Sequence, residues 1–247
     1  METRIVCVDE KNIDKEVIRE AGEIVKAGGL VAFPTETVYG LGGDALNPAS
    51  SRKIYEAKGR PSDNPLIVHI AKVEALSAIV KRVPEEAVKL AQAFWPGPLT
   101  MILEKSDLVP AETTGGLETV AVRMPSHRTA LVFIEAAGGY VAAPSANRSG
   151  RPSPTAARYV AQDLDGRIEM ILDGGDVELG LESTIVDLTA GTPVILRPGY
   201  ITRQMLADIL GRVEEDVTIL RDDSGQSPKA PGMKYRHYAP DCEMVVS

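Results

Sequence analysis

Phe33-Pro34-Thr35-Glu36-Thr37-Val38-Tyr39-Gly40-Leu41-Gly42-Gly43 closes a short apolar strand, Leu30 to Phe33, with a proline that has no amide proton to continue a ladder. The chain must leave the sheet there. The turn beyond Pro34 carries three hydroxyls (Thr35, Thr37, Tyr39), one carboxylate (Glu36) and three glycines, through which backbone amides can approach a ligand. Farther on, Asn47-Pro48 to Ala57 reads as a helix, with Asn47 as N-cap and Pro48 at the first helical position. Lys58-Gly59-Arg60-Pro61-Ser62-Asp63-Asn64-Pro65 comes directly after it. Lys58 and Arg60 either offset the negative pole of that helix or face an anion, and the pair alone does not decide between the two.

The pattern recurs downstream. Tyr140 to Ala143 is a second strand that stops at a proline and opens a polar, cationic turn, Pro144-Ser145-Ala146-Asn147-Arg148-Ser149-Gly150-Arg151-Pro152-Ser153. Two strand ends of matched chemistry predict a ligand held at the C-terminal edge of a sheet, where open α/β folds place their ligands. Leu181-Glu182-Ser183-Thr184 precedes the apolar run Ile185 to Leu188, and Val194 to Leu196 ends in Arg197-Pro198-Gly199. Hydroxyls, amides and arginines gather at element ends, whereas histidines and cysteines do not. That inventory suits an anionic, hydroxyl-rich ligand such as a nucleotide better than a metal.

With 247 residues, 44% hydrophobic, the chain can bury a substantial core. A net charge of -8 argues against binding nucleic acid through the overall field, while leaving room for a local basic cleft. Cys7 and Cys242 lie near opposite ends, without metal-ligand spacing. Reduced thiols and a cytoplasmic location are the expectation. Met1 to Asn12 lacks an apolar signal core, and no run approaches the roughly 20 apolar residues of a membrane span, so no membrane contact is expected.

The chain alternates between the two periodicities. A helical stripe at Ile13, Val17, Ala21, Ile24 and Val25 stops at Gly28-Gly29. After the Pro48 helix come a strand Leu66 to Ile70, helical patterns near Val73 to Val80 and Pro84 to Phe94, and a strand Leu99 to Glu104. Strand Thr119 to Met124 then leads to a helix near Arg128 to Ala137. Strand Tyr140 to Ala143 leads to a helix near Thr155 to Leu164, and strand Ile168 to Leu172 to the Asp173-Gly174-Gly175 turn. This is α/β or α+β organisation. A helix near Arg203 to Leu210 and a strand Val217 to Leu220 read as the last elements of a domain spanning 1–221. Linker composition takes over across 222–240, and it ends unusually, in Met233-Lys234-Tyr235-Arg236-His237-Tyr238-Ala239-Pro240. Aromatic and cationic side chains together can stack on a base and hold phosphates, or simply pack on a further domain. Residues 241–247 read as the start of such a domain.

Several familiar motifs are lacking. There is no Gly-x-x-x-x-Gly-Lys-Ser/Thr loop, no Gly-x-Ser-x-Gly elbow and no zinc-spaced histidine pair. Gly40-Leu41-Gly42-Gly43-Asp44-Ala45 matches a loose dinucleotide form, but Pro34 to Tyr39 separate it from its strand and the helix waits until Pro48. His69, in or beside a strand, reads as structural unless a cleft faces it.

Pro-Thr-Glu-Thr-Val-Tyr-Gly-Leu-Gly at 34–42, Lys58 to Ile70, Phe94-Trp-Pro-Gly-Pro-Leu-Thr100, Val122-Arg123-Met-Pro, Ala143 to Gly150, Glu182-Ser183-Thr184-Ile-Val-Asp and Leu196-Arg197-Pro-Gly together resemble the YrdC-like family. The likeness covers nearly the whole domain, with seven blocks in order. The tail through Pro240 resembles the linker of the long, two-domain branch, whose C-terminal domain the chain reaches only at its threshold. The resemblance implies a twisted, mostly parallel open α/β sheet with flanking helices and a cationic concave cavity. It also implies a reaction: L-threonine, bicarbonate and ATP give L-threonylcarbamoyl-adenylate and pyrophosphate, the first step toward threonylcarbamoyladenosine in tRNA.

For that chemistry Lys58 and Arg60 are the catalytic candidates. Lys58, Arg60 and Arg197 are assigned to the phosphates, and Asn64, Ser145, Asn147 and Ser153 serve as positioning donors. Thr119, Tyr235 and Arg236 complete the ATP set. Similarity assigns Thr37, His69, Arg123 and Ser183 to threonine, with Arg123 on its carboxylate, the Ala143 backbone on its amine, and Thr35 added to this shell. Magnesium is expected with ATP, without an assigned protein ligand. A downstream tRNA threonylcarbamoyl transferase and weak RNA binding are the further partners expected. A related carbamoyl transferase and an RNA-binding module using the same concavity are the alternatives.

Overall fold

The computed structural model describes residues 2–216. The predicted strand at Val217 to Leu220, the 222–240 linker and residues 241–247 lie outside them. Among the described residues eleven strands form one open sheet. In chain order they are β1 (Arg4–Cys7), β2 (Val31–Phe33), β3 (Gly40–Asp44), β4 (Ile67–His69), β5 (Leu99–Glu104), β6 (Thr119–Arg123), β7 (Val141–Ala143), β8 (Met170–Asp173), β9 (Thr184–Asp187), β10 (Val194–Arg197) and β11 (Glu214–Glu215). The helices are α1 (Lys15–Lys26), α2 (Pro48–Lys58), α3 (Leu76–Ile79), α4 (Glu85–Phe94), α5 (Arg128–Ala136), α6 (Ala157–Leu164) and α7 (Arg203–Leu210).

Across the sheet the order is β1-β8-β2-β3-β7-β4-β6-β5-β9-β10-β11. It is a mixed α/β sheet with flanking helices. The pairs β1/β8, β8/β2, β4/β6, β5/β9 and β10/β11 are parallel, and the intervening pairs are antiparallel.

Alternation along the strands divides the core into two layers. Val31, Phe33, Val141, Ala143, Met170 and Leu172 face one side, where α1 and α5 bring Ile18, Ala21, Val25, Ala130, Phe133 and Ile134. Ala32, Ala142 and Ile171 face the other, against Ile54 of α2, Leu90 of α4, Val160 and Leu164 of α6 and Leu206 of α7. The same pleat places Ile67, Ile102, Ala121, Ile185 and Leu196 in a smaller cluster of their own. β4 pairs with β7 so that Ile67 lies opposite Ala143, which puts this cluster on the α1/α5 side of the sheet. There the two-helix layer ends, and a concavity begins.

Three strands were not expected: β1, β11 and β3. Gly40 to Asp44 is strand β3 rather than a ligand-facing loop. Its glycines serve packing. A Cβ on Gly42 would stand 2.9 Å from Val141 Cγ1 and 3.1 Å from the Phe33 ring, and one on Gly43 would stand 3.1 Å from both Ile54 and Leu30. The missing side chains let the Phe33 ring lie across β3 and reach His69, with centroids 6.0 Å apart. The α2 reading holds at both ends. Asn47 Oδ1 accepts the Ala49 N–H at 2.9 Å, and Gly59 closes the helix at φ +62°.

Candidate active site

The two proline turns meet. Leu41 N–H donates to Pro144 O and Ala146 N–H to Tyr39 O, so the turn after β2 is stitched to the turn after β7. The resulting cavity is lined by Thr35, Thr37, Lys58, Arg60, His69, Arg123, Ala143, Ser145, Asn147, Ser153, Ser183 and Arg197. All of these were singled out from the sequence. Because β7 and β4 run antiparallel, contact with Ala143, Ile67, His69 and Arg123 together means that the cavity lies across the sheet's face. The expected position along one C-terminal edge is corrected accordingly.

The turn after Pro34 is held from within. Thr35 Oγ1 donates to Val38 O at 2.7 Å and accepts from the Thr37 and Val38 amides. The Thr37 hydroxyl lies 2.9 Å from the Thr35 hydroxyl, and either can donate to the other. Thr37 lines the cavity.

Lys58 is the most enclosed of the cations, 2% exposed. Its ammonium donates to Ser145 O, Asn147 O and Asn147 Oδ1, which uses all three protons. Burial, seconded by Arg60, pulls it well below the ordinary lysine range, with Asp163 opposing. Lys58 thus shapes the Ser145–Asn147 turn as well as charging the cavity. Arg60 gives Nε to Asn64 O at 3.2 Å and a terminal nitrogen to Pro65 O at 3.1 Å.

At the opposite wall Arg197 donates through Nε to Ser183 O and through a terminal nitrogen to Ser183 Oγ, both at 3.1 Å. Burial lowers Arg197 to about 10, with Arg123 and Arg60 pressing the same way and Glu182 opposing. It stays cationic at neutral pH. Mutually repelling guanidiniums around one concavity are a field prepared for anions. His69 is neutral: burial first, then the Arg123 charge, lowers it to about 3. Its Nδ1 lies 3.1 Å from Ile67 O, which assigns the proton to Nδ1 and leaves Nε2 as an acceptor.

Arg123 is engaged more than the sequence suggested. Its guanidinium is 2.9 Å from Glu36, and both side chains are 5% exposed. The contact is Coulombic rather than aligned, since neither Glu36 oxygen nor Arg123 Nε has a hydrogen-bond partner among the described residues.

Two expected residues stand apart. Asn64 is buried outside the lining and acts through its carbonyl on Arg60. Thr119 opens β6 opposite Glu104, four residues and about 13 Å along the strand from Arg123. Tyr235 and Arg236 lie outside the described residues. Conversely, Glu182 and Arg151 line the cavity without having been chosen, although both sit inside turns read as polar. Their signal was position within those turns. Among the described residues no three His, Cys, Asp or Glu side chains are grouped to hold a metal, and no helix is long and apolar enough to cross a membrane.

Known proteins are similar to the chain in sequence and fold. Residues 23–199 match the Sua5/YciO/YrdC family, described under telomere recombination, and residues 201–247 match the C-terminal domain of threonylcarbamoyl-AMP synthase. That second match begins ahead of the boundary expected at 221. In the structure, α7 still packs on α4 and β11 still pairs with β10. Threonylcarbamoyl-AMP synthases of Pyrococcus abyssi and Bacillus subtilis are 52% and 49% identical, over 99% and 96% of this chain and 71% and 68% of theirs. The structure of P. abyssi Sua5 complexed with L-threonine is similar at a TM-score of 0.94 and 53% identity, covering 98% of this chain and 70% of that one. HypF, at 21% identity and a TM-score of 0.65, shares the fold. The chain belongs to the Sua5/YciO/YrdC family.

Proposed function

We propose that the protein makes L-threonylcarbamoyl-adenylate from L-threonine, bicarbonate and ATP, releasing pyrophosphate, as the first step of threonylcarbamoyladenosine modification of tRNA. The observation that carries the reading is a single cavity in which the neutral His69, Thr37, Ser183 and Arg123 face Lys58, Arg60, Ser145, Asn147 and Arg197. The first group suits a hydroxy amino acid and the second a polyphosphate. The names of the relatives support it, and favour it over carbamoyl transfer or RNA binding alone.

Threonine's ammonium and bicarbonate combine to a carbamate, forming the N–C bond and releasing one water and one proton. A carbamate oxygen then attacks the α-phosphorus of ATP, and the bond to the bridging oxygen of pyrophosphate breaks. Both partners are anions, so the main tasks are neutralisation and alignment. Arg123 meets the threonine carboxylate through nitrogen atoms not turned to Glu36. Thr37 and His69 Nε2 offer acceptors to the ammonium and hydroxyl. Arg60 and Arg197 draw the phosphates in, while Lys58 holds the turn that presents Ser145 and Asn147.

Magnesium fits this donor set. Glu182 is the one carboxylate among the described lining residues, in keeping with an ion carried mainly by phosphates and water. When bound, it neutralises phosphate charge. The reaction belongs to the cytoplasm, and the adenylate passes to a tRNA threonylcarbamoyl transferase, with weak RNA contact in the same concavity. Incubation with ATP, threonine and bicarbonate tests the reading. Threonylcarbamoyl-adenylate is expected by mass spectrometry, and its absence with folded protein retires the proposal.

A further inference from the structure

The cavity holds a fifth cation that has no task in binding threonine, in the phosphate contacts of Arg60 and Arg197, or in the turn that Lys58 holds. Arg151 lines it with 54% of its side chain exposed, and so stands at the rim. The four deeper cations are engaged by the protein itself: Lys58 with the turn carbonyls, Arg60 with Asn64 and Pro65, Arg197 with Ser183, and Arg123 with Glu36. Arg151 is held through one terminal nitrogen, 2.7 Å from Asp163 Oδ1. Its remaining donors form a fork of the kind that matches phosphate oxygens.

Asp163 occupies a place where a carboxylate is unfavourable. It is the penultimate residue of α6, at the negative end of the helix dipole, and the last turn has no basic residue to offset it. Its side chain is only 7% exposed. The compensation comes from the cavity loop: Oδ2 accepts the Arg148 N–H at 3.0 Å while Oδ1 takes Arg151. Asn147 Nδ2 fixes the same segment from inside, donating to Arg148 O at 2.9 Å and Arg151 O at 2.6 Å. Backbone and guanidinium of Arg151 are therefore both set before any ligand arrives. Asp163 itself is absent from the lining; it acts through the loop and through its charge on Lys58.

We propose that Arg151, aimed by Asp163, binds the pyrophosphate end of the nucleotide. The inference rests on the adenylate reading and adds the group that meets the leaving anion. With the carbamate deep beside Arg123, the α-phosphorus must lie inward and the β- and γ-phosphates toward the rim. As the bond between the α-phosphorus and the bridging oxygen breaks, negative charge collects on the departing pyrophosphate. A rim guanidinium stabilises that charge and travels little to release it. Asp163 is a positioning residue.

The test is calorimetric titration of the chain with inorganic pyrophosphate, alongside steady-state adenylate formation, for wild type, R151A, R151K, D163N and R151A/D163N. R151A is expected to weaken pyrophosphate binding and raise the ATP KM by about 10- to 100-fold, the scale of one charge-assisted contact, with threonine affinity unchanged. R151K, which keeps charge but not the fork, falls between. D163N weakens pyrophosphate less than R151A, and in the double variant the two effects combine to less than their sum, because Asp163 acts on pyrophosphate chiefly through that side chain. Unchanged pyrophosphate affinity in R151A, while wild type still forms adenylate, overturns the inference and leaves the adenylate reading standing. A wild type that forms no adenylate overturns that reading instead, and the R151A titration still decides whether the rim arginine binds. Full additivity in the double variant overturns the positioning role.

Discussion

His69 and Lys58 show how burial sets chemistry one side chain at a time. Folded His69 titrates at about 3, against about 6.5 when unfolded. Between those values the unfolded chain takes up a proton that the folded one refuses. Stability is therefore intact above pH 6.5 and falls as pH drops toward 3, by up to about 1.4 kcal/mol per pH unit. Urea unfolding from pH 7 to 4 should show a shallower decline for H69Q than for wild type, and parallel curves would remove His69 as the source. Lys58 leads to a second expectation. K58A deletes a cavity charge and leaves the Ser145 and Asn147 carbonyls without their donor. Adenylate formation should fall by about 10² or more. Stability should fall with it, by about 1–3 kcal/mol. Loss of turnover at unchanged melting temperature would show that Lys58 does not hold the turn.

At the scale of elements, two glycines separate support from site. Gly42 sits inside β3 beneath the Phe33 ring and beside Val141, away from the lining. G42A should destabilise by about 1–3 kcal/mol through overpacking, with turnover per folded molecule nearly unchanged. Gly199 comes two residues after β10, and a Cβ there would stand 2.5 Å from Glu182 O and 2.6 Å from Thr184 N. Those are backbone atoms, which cannot swing aside. G199A must part the strand that carries Arg197 from the segment that carries Ser183, so threonine affinity should drop at least tenfold. Calorimetry on the two variants checks the contrast, and equal threonine binding would argue against a shared wall.

At the scale of the molecule, the lining comes from the ends of β2, α2, β4, β6, β7 and β10 and the segment before β9. Ligand should therefore tie distant parts of the sheet together. Threonine at 100 times its Kd should add about 2.7 kcal/mol to unfolding. Hydrogen exchange should slow together at the turn after β2 and at β9. Protection confined to one of them would mean that the cavity does not close around one ligand. Selectivity is a property of the same assembled wall. Serine, lacking only a methyl, should lose about 10- to 200-fold in kcat/KM, whereas valine should lose more because it leaves His69 or Thr37 unpaired. Competition assays measure both ratios, and equal use of valine and threonine would show that the hydroxyl is not read.

The sequence by itself determined the periodic elements, the prolines that end β2 and β7, the capped α2 and the segments that supply the cavity. These are local properties of backbone and side chain, legible within a few residues of each site. It also located the polar turns containing Arg151 and Glu182, though not which of their side chains face inward. Only the tertiary structure decided that Gly40 to Asp44 is a strand, because its glycines answer to Phe33, Val141, Leu30 and Ile54, none of them adjacent in the chain. The same holds for Glu36 against Arg123, for the three carbonyl-oxygen and amide contacts of Lys58, and for Asp163 behind Arg151. Burial and partnership are sums over neighbours that strand order brings together, and in a sheet of order β1-β8-β2-β3-β7-β4-β6-β5-β9-β10-β11 those neighbours are seldom adjacent in sequence.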